Sequence, residues 1–203
     1  MITIVNYGMG NLGSVQNMLK RIGAAGRISD NLDEIRDAEK ILLPGVGAFD
    51  AAMQRINEKG FHEVLNYKAT VEKVPVLGIC LGMQLLTKKS EEGELPGLGW
   101  IDAVTVKFNF HEDGTKKIPH MGWNMVNCAK PSILTDKLPP EPRFYFVHSY
   151  YVSCSNEADV LCTTPYGHDF HSVIRHDNIY GAQFHPEKSH KYGMKLLENF
   201  SKI

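Results

Sequence analysis

Cys80 lies between two glycines in Gly78-Ile79-Cys80-Leu81-Gly82, after the apolar run Pro75-Val76-Leu77 and before Met83-Gln84-Leu85-Leu86. A strand that bends sharply into a helix and carries a nucleophile at the bend has this pattern, here with cysteine in place of serine. Both glycines answer a steric need, because the bend is strained and Cβ atoms two residues either side of it would collide. A cysteine at that point faces the partly positive end of the following helix, which favours thiolate. The Leu81 amide would point to where an oxyanion forms. A lone cysteine after an apolar strand is otherwise read as a buried structural thiol; the flanking glycines favour chemistry.

A nucleophilic cysteine needs a base, and the base needs a group that orients it. Among nine histidines, His185 has the fitting context in Gln183-Phe184-His185-Pro186-Glu187. In an extended segment His185 and Glu187 share a face, and Pro186 between them stiffens the spacing. The carboxylate would then hold one imidazole tautomer and stabilise the imidazolium. His62, His111, His120, His148, His168, His171, His176 and His190 read as surface or structural groups, and their spacing carries no metal signature. Neither a metal nor a cofactor is expected. Pro44-Gly45-Val46-Gly47 is a second glycine turn whose backbone amides could complete an oxyanion site, if its strand ends beside Cys80 at one sheet edge.

These groups must be positioned by alternating strands and helices. Strands are expected at Ile2–Asn6, Arg27–Ser29, Lys40–Leu43 (ended by Pro44-Gly45) and Pro75–Ile79. Between them, Val15, Met18, Leu19 and Ile22 share a helical face, as do Phe49, Ala52, Met53 and Ile56. Asn31 is placed to cap a helix carrying Leu32 and Ile35, and a further helix is expected over Phe61–Lys73. After about residue 95 the pattern changes: Val104, Val106 and Phe108 alternate with polar residues, and Arg143–Val152 reads as one long aromatic strand. Ser172–Arg175 and Ile179–Phe184 read as a hairpin, and Leu196, Leu197 and Phe200 mark a closing helix. The fold expected is α/β, with a mixed, largely parallel central sheet, helices on both faces and antiparallel additions in the second half. Residues 1–203 are expected to form a single domain.

The chain has 203 residues, 43% of them hydrophobic, and a formal net charge of −1. That balance points neither to nucleic acid nor to an anionic membrane surface. Met1-Ile2-Thr3-Ile4-Val5 reads as a strand rather than a signal peptide. The four cysteines at 80, 128, 154 and 162 are scattered and expected to be unpaired, in a reduced, cytoplasmic protein. A rival reading comes from Gly8-Met9-Gly10-Asn11-Leu12-Gly13, which spells a dinucleotide fingerprint with Asp30 about 20 residues on. An oxidoreductase would leave the elbow and His-Pro-Glu unexplained. A peptidase or another amidase on the same elbow is a further alternative, since a triad sets acyl transfer but not the acyl group.

Gly78-Ile79-Cys80-Leu81-Gly82-Met83-Gln84 together with His185-Pro186-Glu187 resembles the class I glutamine amidotransferases. Pro44–Phe49, Pro119–Asn124, Tyr145–Tyr150 and Phe184–Ser189 narrow the resemblance to the branch serving as glutaminase subunits of imidazole glycerol phosphate synthases. The resemblance implies a Cys80-His185-Glu187 triad and an oxyanion hole from the Gly47 and Leu81 amides. It implies glutamine contacts from Gln84 and from His148-Ser149-Tyr150. It further implies a heterodimer with a (βα)8-barrel cyclase subunit, which receives the ammonia for histidine synthesis, through a face containing Asn11, Trp123 and Lys188. Asn11 could instead cap the first helix, Trp123 could plug the core and His120 could be a satisfied turn histidine. Relatives of the branch also serve surface-polysaccharide clusters, where ammonia goes to a sugar, and Asn6–Gly13 and Ser189–Met194 resemble that group as well.

Overall fold

The computed structural model describes residues 1–110 and 116–203; His111 lies outside the described residues. Four parallel strands, β1 (Ile2–Val5), β2 (Gly26–Ser29), β3 (Lys40–Gly45) and β4 (Val76–Cys80), stand in the order β2-β1-β3-β4. They are joined by α1 (Leu12–Arg21), α2 (Leu32–Arg36), α3 (Phe49–Glu58) and α4 (Phe61–Asn66), and the short α5 (Leu81–Leu85) follows β4. Successive strand residues point to opposite faces. Leu42, Leu77 and Ile79 therefore pack with Val15 and Leu19 of α1 and with Leu196 and Phe200 of the closing helix α6 (His190–Lys202). Ile41, Leu43 and Val76 pack with Phe49, Met53 and Ile56 of α3 and Leu65 of α4. A sheet covered on both faces explains why β3 and β4 read as continuous apolar runs.

The second half adds β5 (Ala103–Lys107), β6 (His120–Met125), β7 (Asn127–Cys128), β8 (Arg143–His148), β9 (Tyr150–Cys154), β10 (Val160–Tyr166), β11 (His168–His176) and β12 (Ile179–Ala182). β12 pairs parallel to β4, and β11, β10 and β7 continue the sheet antiparallel. β9 joins β11 and carries β5, while β6 and β8 make a separate two-stranded sheet. Among the described residues no helix is long and apolar enough to cross a membrane.

Several boundaries differ from expectation. β3 runs through Pro44 to Gly45, because Gly45 pairs in register with Cys80. The helix expected to Lys73 leaves α geometry at Tyr67, where residues 67–71 form a π-helical turn. The single strand expected over 143–152 is two strands in two different sheets, broken at Ser149. The Asn31 cap is present, its side chain accepting from the Asp33 and Glu34 amides. The reading of four unpaired cysteines is corrected: Cys128 and Cys162 form a disulfide. Antiparallel pairing of β7 with β10 places those two residues opposite each other, a juxtaposition that their separation of 34 positions conceals.

Candidate active site

Cys80 ends β4 and caps α5 at φ 55° and ψ −112°. For a non-glycine residue this backbone costs on the order of 1–3 kcal/mol and persists only where the surroundings over-determine it. They do so here by close approach. A Cβ on Gly82 would lie 1.7 Å from the Leu43 carbonyl oxygen, and one on Gly78 would lie 2.5 Å from the Gly82 carbonyl oxygen. On the β3 side the Tyr7 hydroxyl donates to the Pro44 carbonyl at 2.8 Å. Burial and the charge of Cys80 both push the Tyr7 phenol well above its ordinary value, so it stays a neutral donor.

His185 and Glu187 come from the turn after β12. The pair is not in extended backbone as expected, because Pro186–Lys188 forms a 3-10 turn with proline in its first position. The contact survives: His185 Nδ1 lies 2.8 Å from Glu187 Oε1, with the two side chains 2% and 3% exposed. An ionised carboxylate only accepts, so the proton sits on Nδ1 and Nε2 is left for acid–base work. Nε2 is buried and, among the described residues, has no partner at hydrogen-bond distance, yet Cys80 is near enough to bear on it. Burial opposes the imidazolium, but Cys80 and Glu187 together outweigh it and raise His185 to about 10. A cationic imidazole beside a cysteine sulfur is the kind of surrounding in which a thiolate is favoured.

A cavity of about 340 Å³ opens over this pair, at the small end of the range for ligand sites. Val46 and Gly47 line it from the turn after β3, Cys80, Leu81 and Gln84 from the elbow, and His148, Ser149 and Tyr150 from the break between β8 and β9. His185 lines it as well, with Glu187 behind. The residues assigned to nucleophile, base, oxyanion hole and glutamine contact therefore converge on one space. His148 Nδ1 donates to the Tyr150 carbonyl at 2.8 Å, so its Nε2 accepts from His120 Nδ1 at 3.0 Å. Asn124 Nδ2 completes the chain at His120 Nε2, 3.2 Å away. Burial, with His120 and His185 adding to it against the Tyr150 bond, pushes His148 down to about 3. Burial and then Lys116 push His120 down to about 4. Both are neutral near pH 7, and His120 is a buried strand residue rather than a turn histidine.

Two site residues were not singled out from the sequence. Glu92 lines the cavity and its carboxylate accepts from the Phe49 amide at 3.0 Å. Burial, reinforced by Asp50, raises its affinity for a proton despite that bond. Nothing in Ser90-Glu91-Glu92-Gly93-Glu94 distinguishes this carboxylate from its neighbours. Gln183 is fully buried beneath Cys80; its one sequence signal is its place two residues before His185.

Asn11, Trp123 and Lys188 line no part of this cavity. Asn11 precedes α1 but makes no side-chain cap bond. Trp123 is no core plug: it is 46% exposed, stacked on His190 at 5.4 Å. Lys188 lies over the Tyr145 ring at 5.5 Å. Met121, Trp123 and Met125 alternate along β6 and form an exposed apolar row. In the glycine run, a Cβ on Gly13 would meet nothing within 4 Å, so that glycine does not serve the tight packing a dinucleotide fingerprint requires. Asp30 faces Lys59 at 3.7 Å.

A family model described as "Glutamine amidotransferase class-I" matches residues 3–203. The chain is 54% identical over 202 residues to imidazole glycerol phosphate synthase subunit HisH 2 of Methanococcus maripaludis, covering 100% of this chain and 99% of that one. It is 47% identical to the protein of the same name from Pseudomonas aeruginosa, with both chains fully covered. In fold it is similar to PurLQS from Thermotoga maritima, with a TM-score of 0.70 at 16% identity over 98% of this chain and 96% of that one. A solved glutamine amidotransferase gives a TM-score of 0.71 at 18% identity, over 100% and 99% of the two chains. With its elbow cysteine, buried His-Glu pair and full-length match, the chain belongs to the class I glutamine amidotransferases.

Proposed function

We propose that this chain is the glutaminase subunit of an imidazole glycerol phosphate synthase, with residues 1–203 acting as one domain in the cytoplasm. The observation that carries the reading is the convergence of Cys80 and the His185–Glu187 pair on one cavity, in a chain whose relatives bear that name over their full length. The Cys80 thiolate attacks the side-chain carbonyl carbon of glutamine. The oxyanion that forms is stabilised by backbone amides at Leu81 and Gly47. His185 gives its Nε2 proton to the leaving nitrogen, ammonia departs, and a γ-glutamyl thioester remains. Water, deprotonated by the same nitrogen, opens the thioester to glutamate. Glu187 holds the imidazole in the working tautomer throughout. Gln84 and the His148–Tyr150 segment position the substrate, and Glu92 offers a carboxylate for its α-ammonium group.

The ammonia is delivered to a (βα)8-barrel cyclase subunit seated on the β6 row and on Asn11 and Lys188. Met121, Trp123 and Met125 are exposed on β6. Lys188 lies over the ring of Tyr145, the cross-strand partner of Trp123, and Met and aromatic side chains are enriched at such interfaces. Sugar amidation finds no support in the relatives' names, and a dinucleotide oxidoreductase is not carried forward. Cys80→Ala should abolish glutamate release from glutamine, and unchanged turnover would overturn the assignment. For the pathway, the gene should restore growth without histidine to a strain lacking this subunit but retaining the cyclase. Failure despite a soluble, assembled complex would refute it.

A further inference from the structure

We propose that Gln183 is a catalytic residue: its side-chain amide donates to the Cys80 sulfur and holds it as the thiolate, and Gln84 clamps that amide in the donating orientation. The inference deepens the proposed function and rests on its reading of Cys80 as the nucleophile.

The orientation follows from the network. The Tyr150 carbonyl can only accept, and Gln84 reaches it at 3.0 Å, so that atom of Gln84 is its NH2 nitrogen. The same nitrogen lies 3.3 Å from the Gln183 amide, whose facing atom must therefore be the oxygen. Gln183 then has its nitrogen on the other side, 3.9 Å from Cys80 Sγ. The residue is fully buried, and a buried primary amide needs acceptors for its N–H groups. A thiol sulfur is a weak acceptor and a thiolate a strong one, so the contact strengthens as Cys80 ionises. After acylation the sulfur becomes a neutral thioester and the bond weakens again. The amide thus favours the attacking form and the sulfur as leaving group, and it does so uncharged.

Other groups also bear on the sulfur and set the background for any pH measurement. His185, backed by Glu187, faces it from the turn after β12, and Tyr7 faces it from the loop after β1. Glu92 and His148 stand on the cavity wall. Gln183 is the member of this set that does not titrate, so no change in its own protonation can imitate its effect.

The test is the rate of Cys80 alkylation by iodoacetamide across pH in the full chain, read by peptide mapping. Cys154, buried and pushed up to about 12, does not compete. Gln183→Leu removes both amide functions. Gln183→Glu keeps an oxygen for Gln84 to donate to, but sets an acceptor against the sulfur. In both, the rise of the alkylation profile should move up by about one pH unit, a tenfold loss of thiolate below the midpoint, with the larger shift in Gln183→Glu. Folded variants whose profiles overlay the native one would overturn the proposal. The native chain provides a readout independent of variant folding. With 15N-labelled glutamine, the Gln183 side-chain amide proton should shift with the same midpoint as alkylation; a resonance indifferent to that midpoint would also overturn it. Failure of the underlying reading looks different: quantitatively alkylated chain that still releases glutamate removes Cys80 as nucleophile, whatever Gln183 does.

Discussion

Replacing Gly82 with alanine tests whether the elbow is built by close approach. The new Cβ would sit 1.7 Å from the Leu43 carbonyl oxygen, a backbone atom of the neighbouring strand. Ordinary contact begins near 3.4 Å, so α5 must retreat from β3 by well over 1 Å. Forcing a methyl group into packed structure costs roughly 1–3 kcal/mol and occasionally more, and a clash with main chain belongs at the top of that range. About 3 kcal/mol in a domain of this size lowers the melting temperature by about 6–12 °C. Because α5 begins at Cys80, its retreat carries the sulfur away from His185, and a displacement of about 1 Å can cost 100-fold in rate. Thermal melting and glutamate release with the proposed cyclase partner present are the assays. Gly13→Ala is the matched control: nothing lies within 4 Å of its Cβ, it stands in α1, and it should be neutral or stabilising by up to about 1 kcal/mol. A Gly82→Ala protein melting within 2 °C of native (about 0.5–1 kcal/mol), with turnover within a factor of two, would refute the reasoning.

Glu187→Gln should lower kcat by about 100-fold or more, since the amide no longer selects the working tautomer or supports the imidazolium. His185 is raised from 6.5 to about 10, so the pair's stabilisation is fully present below about 6.5 and is lost as pH rises through about 10. The stability gap between native protein and Glu187→Gln, followed by urea unfolding from pH 6 to 10, should therefore narrow with rising pH; a widening gap contradicts the assignment. Glu92→Gln should raise KM for glutamine about tenfold with kcat nearly unchanged, the signature of lost uniform binding; an unchanged KM in steady-state assays removes it from the substrate site. Trp123→Ala should weaken association with the proposed cyclase subunit by about 30-fold or more, as for an aromatic anchor. Calorimetric titration checks this, and native affinity would move the interface elsewhere.

The elbow was legible because its constraint is local: two glycines, an apolar strand and a cysteine state their own steric problem within five residues. The His185–Glu187 pair was legible for the same reason, although the turn that presents it is 3-10 rather than extended. Glu92 and Gln183 were not legible, because a glutamate in an acidic loop and a buried amide acquire meaning only from what the fold sets against them. The break at Ser149 was hidden in an unbroken aromatic run, since transfer of a strand from one sheet to another depends on tertiary pairing and leaves residue type unchanged. β6 and β10 also escaped notice. Gly122 and Asn124 dilute the alternation in β6, and Pro165 disguises the end of β10. The disulfide likewise depends on pairing between β7 and β10, with no cue in cysteine spacing.

The placement of β12 beside β4 has a consequence for timing. Cys80 and Gln183 are 103 positions apart, yet Cys80 ends β4 and Gln183 directly follows β12, and the pairing of these two strands closes the middle of the sheet. During synthesis at about 5–20 residues per second, the nucleophile is therefore made roughly 5–20 s before its base and its supporting amide exist. Until β12 inserts, β4 presents an open edge and Cys80 has no partner from that side. A nascent or truncated chain thus carries the thiol without the chemistry, and glutamine is spared until the last strand of the sheet has gone in.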